Sequence, residues 1–252
     1  MNKRIVCWFS CGAASAVATK LAIEENARSA APLPLIVARC FVAEEHPDND
    51  RFSADCQTWF GQPIVELKNE KYEGSIYETF KQRKYIAGIA GAPCTKFLKK
   101  EVRQNFEQFG DLQVFGYTAE EQDRVDRFID GNADVRLWPI LIEKGLMHSD
   151  CVAMVARAGI EIPMMYKLGY RNNNCIGCVK GGAGYWNKIR IDFPAQFDRM
   201  ARFSKSLGVR LVKHEGERVF LADLPVTTGD YPAEPEIQCG IFCEMAEREM
   251  KA

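Results

Sequence analysis

Short apolar runs separated by small or polar breaks set the rhythm of the first half of the chain. Residues 4–9 read Arg-Ile-Val-Cys-Trp-Phe, apolar on both faces and too short for a helix, which predicts a buried strand. An alanine-rich segment over residues 15–26 predicts a helix, residues 35–42 a second strand, 50–60 a helix and 63–67 a third strand. Helical patterns follow over 75–85 and 95–109, and a fourth strand over 112–117 ends in the polar stretch 118–130. Strands alternating with helices through short links predict a parallel sheet covered by helices. Beyond residue 138 the rhythm changes. Helices are expected over 147–158, 163–167 and 194–207, with a cysteine-bearing loop over 172–185. A hairpin is expected around Glu215-Gly216-Glu217, then a Pro/Thr-rich loop over 225–236 and a short helix over 239–250. The expected division is a nucleotide-type α/β core over 1–135 and a helical, cysteine-bearing region over 136–252.

At 252 residues the chain is long enough to bury a full core without covalent staples. Lys and Arg total 33 against 34 Asp and Glu, so a globally basic nucleic-acid coat is excluded while a local basic groove is not. No apolar run approaches the ~18 residues of a membrane span, and the N-terminus lacks the apolar stretch of a secretory signal. The expectation is a soluble, cytoplasmic protein that forms a homo-oligomer and has no membrane partner. Ten cysteines in such a chain do not read as disulfides. Cys7 and Cys40 sit in strand-like runs and read as small core hydrophobes.

In open α/β sheets a ligand sits beyond the carboxyl ends of the strands. Ser10-Cys11-Gly12-Ala13-Ala14-Ser15 occupies that place after the first strand. Small side chains, two hydroxyls and the first amides of a helix make a phosphate cradle, although a plain small-residue turn has the same composition. The Gly-Lys-Ser/Thr ending of the Walker loop is missing. Arg124 and Arg127, three apart, share a helix face and can grip a phosphate or sulfate. Glu120, Glu121, Asp123 and Asp126 around them suit a salt-bridged surface equally well.

Cys175-Ile176-Gly177-Cys178 places two thiols three apart in a glycine-containing turn, a spacing that reaches one metal centre. Cys94 lies 81 residues upstream at a helix start. From the residues alone the readings are an iron–sulfur cluster, a zinc site with Cys239 and Cys243 as its second pair, a redox dithiol, or buried thiols. Lys167, Arg171, Lys180, Lys188 and Arg190 interleave with Tyr166, Tyr170, Tyr185 and Trp186. That mixture suits a nucleic-acid strand, a small anionic nucleotide, or a shield around a cluster. Only three histidines are present, of which His46 falls at the end of the second strand, so a histidine-centred hydrolase has little support.

The loop resembles the PP-loop, Ser-Gly-Gly-x-Asp-Ser, of the adenine nucleotide alpha-hydrolase superfamily, which includes ATP pyrophosphatases, tRNA thiolases and phosphoadenylyl-sulfate (PAPS) reductases. Ser10, Gly12 and Ser15 match, while Cys11 replaces the first glycine and Ala14 the aspartate. Gly116-Tyr117-Thr118-Ala119-Glu120-Glu121, Trp138-Pro139-Ile140-Leu141 and Tyr166-Lys167-Leu168-Gly169-Tyr170-Arg171 are similar to reductase-family segments in the same order. The resemblance implies an adenine nucleotide alpha-hydrolase-like open sheet. It implies ATP, or PAPS or adenylyl sulfate (APS), held by residues 10–15 with Lys96, Gly116, Arg124 and Arg127, with magnesium as a further expectation. The family's iron–sulfur reductases carry a Cys-Cys pair before a basic helix and Cys-x-x-Cys some eighty residues later. Here Pro93 stands at the first position of the pair, so the implied [4Fe-4S] ligands are Cys94, Cys175 and Cys178, with Cys239 or Cys243 as a fourth.

Three functional readings follow from this resemblance. The first is ATP-dependent sulfur transfer to an adenylate-activated acceptor such as a nucleobase, with an external sulfur or electron donor. The second is PAPS or APS reduction, because Glu236-Ile237-Gln238-Cys239-Gly240-Ile241 resembles the reductase tail whose cysteine attacks sulfur, which makes Cys239 and Arg124 the expected catalytic residues. The third is an inactive nucleotide-binding regulator.

Overall fold

The computed structural model describes residues 4–87, 91–235 and 237. In chain order these form β1 (Ile5–Trp8), α1 (Ala13–Arg28), β2 (Leu35–Cys40), α2 (Asp48–Phe60), β3 (Ile64–Leu67) and α3 (Ile76–Arg83). A π-helix, Thr95–Lys100, runs into α4 (Glu101–Phe106). Then follow β4 (Leu112–Val114), α5 (Gln122–Gly131), β5 (Arg136–Trp138), α6 (Ile140–Glu143), α7 (His148–Arg157) and α8 (Met164–Lys167). The remaining elements are α9 (Ala183–Asp192), α10 (Pro194–Ser206), β6 (Val212–His214) and β7 (Glu217–Val219).

These elements divide between two compact units. One comprises the described residues up to Phe41 with Pro47–Lys68 and Val102–Asn173; the other comprises Val42–His46, Asn69–Glu101 and the described residues from Asn174 onward.

The first unit is an α/β layer structure built on a five-stranded parallel sheet of order β3-β2-β1-β4-β5. β1 is central and wholly buried because helices cover both faces, which is why its sequence is apolar without alternation. Phe9, Val17, Phe52, Phe60 and Val155 belong to the core between β1, α1, α2 and α7. The parallel sheet expected from the alternating pattern is present. β5 was not expected: three residues, one of them exposed, are too few to show a period. Arg4 closes the lower edge through a bidentate pair with Asp111, at 2.9 Å on both oxygens.

The second unit packs α3, the π-helix, α9 and α10 with the antiparallel β6–β7 hairpin. Helix α9 starts inside the stretch expected to be loop, because Gly181-Gly182-Ala183-Gly184 hides its beginning. A Cβ on Gly184 would stand 2.5 Å from the Tyr231 amide nitrogen, so the run of small residues reflects close backbone packing. The expected helix over 239–250 lies outside the described residues. No helix among the described residues is long and apolar enough to cross a membrane.

Candidate functional site

In the first unit the strand order reverses between β1 and β4, the kind of switch point beyond which open α/β sheets bind their ligands. Both loops that border it are ones the sequence analysis marked. After β1 the chain turns at Cys11, whose φ of 57° is left-handed. An L-residue there costs roughly 1–2 kcal/mol, so the backbone at this position has the conformation a glycine prefers. Cys11 is held in it from both ends. Its carbonyl accepts from Asn173 Nδ2 at 2.7 Å, and its Sγ lies 3.3 Å from Ser53 Oγ. Ser53 in turn accepts from the buried Arg39 at 3.0 Å.

The two loop serines bond each other. Ser15 Oγ accepts from the Ser10 amide at 3.0 Å and the Ser10 hydroxyl at 3.1 Å, and donates to the Gly12 carbonyl at 2.9 Å. This closes residues 10–15 into a ring around the start of α1, where no side chain caps the helix. The first amides of α1 therefore face the loop without an intrahelical or capping partner. From the loop after β4, Gly116 approaches so closely that a Cβ there would stand 2.5 Å from the Ser15 amide nitrogen. Tyr166 brings its hydroxyl to 3.2 Å from the point a Gly12 Cβ would occupy. α8 is pinned there because its Met164 amide donates to Asp48 at 2.9 Å, and Asp48 is paired bidentately with Arg51.

Arg124 and Arg127 lie on α5 at the spacing expected. Arg124 bonds Glu121 at 2.6 Å and lies over the Tyr117 ring at 5.0 Å, while Glu120 accepts from Thr118 and the His148 amide and Asp126 from Gln122. Thr118 and Glu121 form a reciprocal cap at the start of this segment. Neither Tyr166 nor Asn173 was expected at the loop. Both come from far along the chain, and no local spacing announces them.

In the second unit Cys94, Cys175 and Cys178 line one cavity of about 10 Å³, together with Thr95 and Lys99; the rest of the lining is apolar, Phe80 and Val179 among it. All three thiols are free of disulfides. The Cys175–Cys178 turn is shaped by a left-handed Gly177, φ 77°, where Trp186 would also crowd a Cβ at 3.0 Å. The buried Tyr185 hydroxyl accepts from the amides of Gly177 and Cys178, at 3.1 and 2.8 Å, and donates to the Cys175 carbonyl at 3.2 Å. The Ile176 amide donates to the Glu44 carbonyl at 2.9 Å. The Glu44 carboxylate caps α3 by accepting from Ser75 Oγ and the Ile76 amide. Glu234 caps α9 by accepting from the amides of Gly184 and Tyr185.

Cys94 stands at the head of the π-helix, a rare form that is frequent at functional sites. Lys96, on the same turn, lies over the Phe97 ring at 5.6 Å. Among the described residues no three metal-ligating side chains gather closely enough to close on a single ion. The three thiols share a cavity whose volume holds one water-sized sphere. Cys239 and Cys243 lie outside the described residues.

Tyr170, Tyr185 and Trp186 are buried, so their rings serve interior packing and present no face for stacking bases. Lys167 pairs with Glu161, Lys188 with Asp192, and Arg190 with Asn187 and backbone carbonyls. His46 packs edge-to-face on Phe193.

The remaining thiols divide by environment. Burial pushes Cys7 and Cys56 far above the ordinary thiol range and Cys151 up to about 12. Thiolate is the form that reacts with alkylating agents. Native protein treated with iodoacetamide at pH 8 should therefore carry no label on Cys7, Cys56 or Cys151 by peptide mass mapping, and full label after denaturation. Labelling of these three in the native state would contradict the burial.

Comparison with protein-family models, with curated proteins and with solved structures finds no match.

Proposed function

We propose that the chain is a PP-loop, PAPS reductase-like enzyme that binds ATP at residues 10–15, holds a [4Fe-4S] cluster on Cys94, Cys175 and Cys178, and transfers sulfur to an adenylate-activated acceptor. The observation that carries this reading is the convergence of Cys94 with a cysteine pair 81 residues later on one cavity. Three thiols in apolar walls are the donor set of a thiophilic group, and a cluster spreads its thiolates over several irons rather than closing them on one. Thr95, in the same wall, has a buried hydroxyl with no partner among the described residues, as expected where a ligand completes the bonding. When bound, the cluster supplies a site for sulfur and electron chemistry.

In this reading the amides at the start of α1 receive phosphate oxygens, Tyr166 and the Ser10–Ser15 ring border the same notch, and Arg124 and Arg127 offset the charge of the departing group. An acceptor oxygen attacks the α-phosphorus of ATP and pyrophosphate leaves. Sulfide-level sulfur from an external donor then displaces AMP. A nucleobase is the acceptor class the resemblance favours.

Anaerobically purified full-length protein should bind ATP and release pyrophosphate only when an RNA or DNA pool is supplied. Release that never exceeds the no-acceptor blank, with every nucleic-acid pool tried, would sink the transferase reading.

A further inference from the structure

We infer that Thr95 is a positioning residue for the group held by Cys94, Cys175 and Cys178: its hydroxyl donates a hydrogen bond to an anionic sulfur, thiolate or sulfide, of that group. The inference rests on the proposed function and adds to it a residue outside the cysteine set.

Thr95 is completely buried, and its Oγ has no hydrogen-bond partner among the described residues. Helical threonines usually satisfy themselves by bonding the carbonyl one turn back. Thr79, equally buried, does so to Ser75 at 2.8 Å, and Thr58 to Ala54 at 3.1 Å. Thr95 does not. It begins the π-helix, and its amide alone donates to the Ala92 carbonyl behind it, at 3.0 Å, whereas Thr79 sends both its amide and its hydroxyl to the Ser75 carbonyl. Leaving a buried hydroxyl unpaired destabilises a fold, whereas an apolar side chain of the same shape carries no such penalty. A threonine in the wall of a three-thiol cavity therefore lacks a structural reason but has a chemical one. A neutral thiol is a weak acceptor, while a thiolate or sulfide carries charge and accepts well. Hydrogen bonds to cluster sulfurs disperse that charge, which raises the reduction potential and stabilises the ligand bonds.

The test is Thr95→Val in the full chain, with Thr95→Ser as the conservative control, measured with and without anaerobic reconstitution. Three results are expected of Thr95→Val. Without iron, it should melt about 2–4 °C above wild type, because a buried unpaired hydroxyl is gone. With iron, the chelator bathophenanthroline should remove the metal roughly tenfold faster than from wild type. The cluster potential should also move to a more negative value, and Thr95→Ser should restore it. A purely structural threonine would instead lower the melting point of both forms and leave the potential where it was. Wild type that takes up iron while Thr95→Val matches its potential and chelation rate overturns this inference alone. Wild type that takes up no iron overturns it together with the proposed function.

Discussion

Cys175→Ala should reconstitute with under one iron per chain, and wild type should take up about four iron and four sulfide by ordinary cluster stoichiometry. In the proposed site the Cys175 thiolate would be a metal ligand, and alanine offers none. The substitution is mild for the fold, since it removes a single sulfur from a wall that already borders a cavity. Loss of iron is then attributable to the ligand rather than to unfolding, and unchanged melting of the iron-free variant would establish that. Cys56→Ala is the matched control: an equally buried cysteine, but in the core of the first unit. It should keep wild-type iron. Iron retained by Cys175→Ala, or lost equally from Cys56→Ala, would remove the cysteine cavity from consideration as a cluster site. Zinc at one per chain in place of iron would leave the thiols with a structural role.

Gly116→Ala should lower the melting temperature by roughly 6–12 °C, for about 3 kcal/mol in a chain of this size, and reduce ATP affinity more than tenfold. The added methyl would stand 2.5 Å from the Ser15 amide nitrogen and 2.8 Å from the Ala14 carbonyl carbon. Both are backbone atoms, and no rotamer change can relieve them. Either the β4 loop retreats or the start of α1 shifts, and each breaks the ring formed by Ser10, Gly12 and Ser15. Calorimetry for ATP beside a thermal melt separates the two effects. A variant with wild-type melting and wild-type ATP affinity would mean that the loops after β1 and β4 are not the nucleotide site.

Part of this architecture is legible one residue at a time. β1, β2 and β3 are apolar runs bounded by small or polar residues, and their helices fill the intervals, so the parallel sheet follows from pattern. Elements shorter than one period escape that method, as β5 shows. α9 escaped for a different cause: Gly181, Gly182 and Gly184 look like loop, yet Gly182 and Gly184 are set by neighbours at residues 229–234 that no local pattern reveals. The aromatic and basic run around residues 166–190 was open to several readings until burial placed Tyr170, Tyr185 and Trp186 inside.

The sequence by itself determined the α/β class, the small-residue loop at the end of β1 and the Cys175–Cys178 pair, because each depends on neighbours within a few positions. Only the tertiary structure decided that Cys94 shares a cavity with that pair, that Cys11 takes the left-handed conformation, and that Gly116, Tyr166 and Asn173 close around residues 10–15. Those are contacts between segments far apart in the chain, formed when the burial of apolar surface brings distant side chains together. A linear pattern carries the chemistry of each group but not the distance between them.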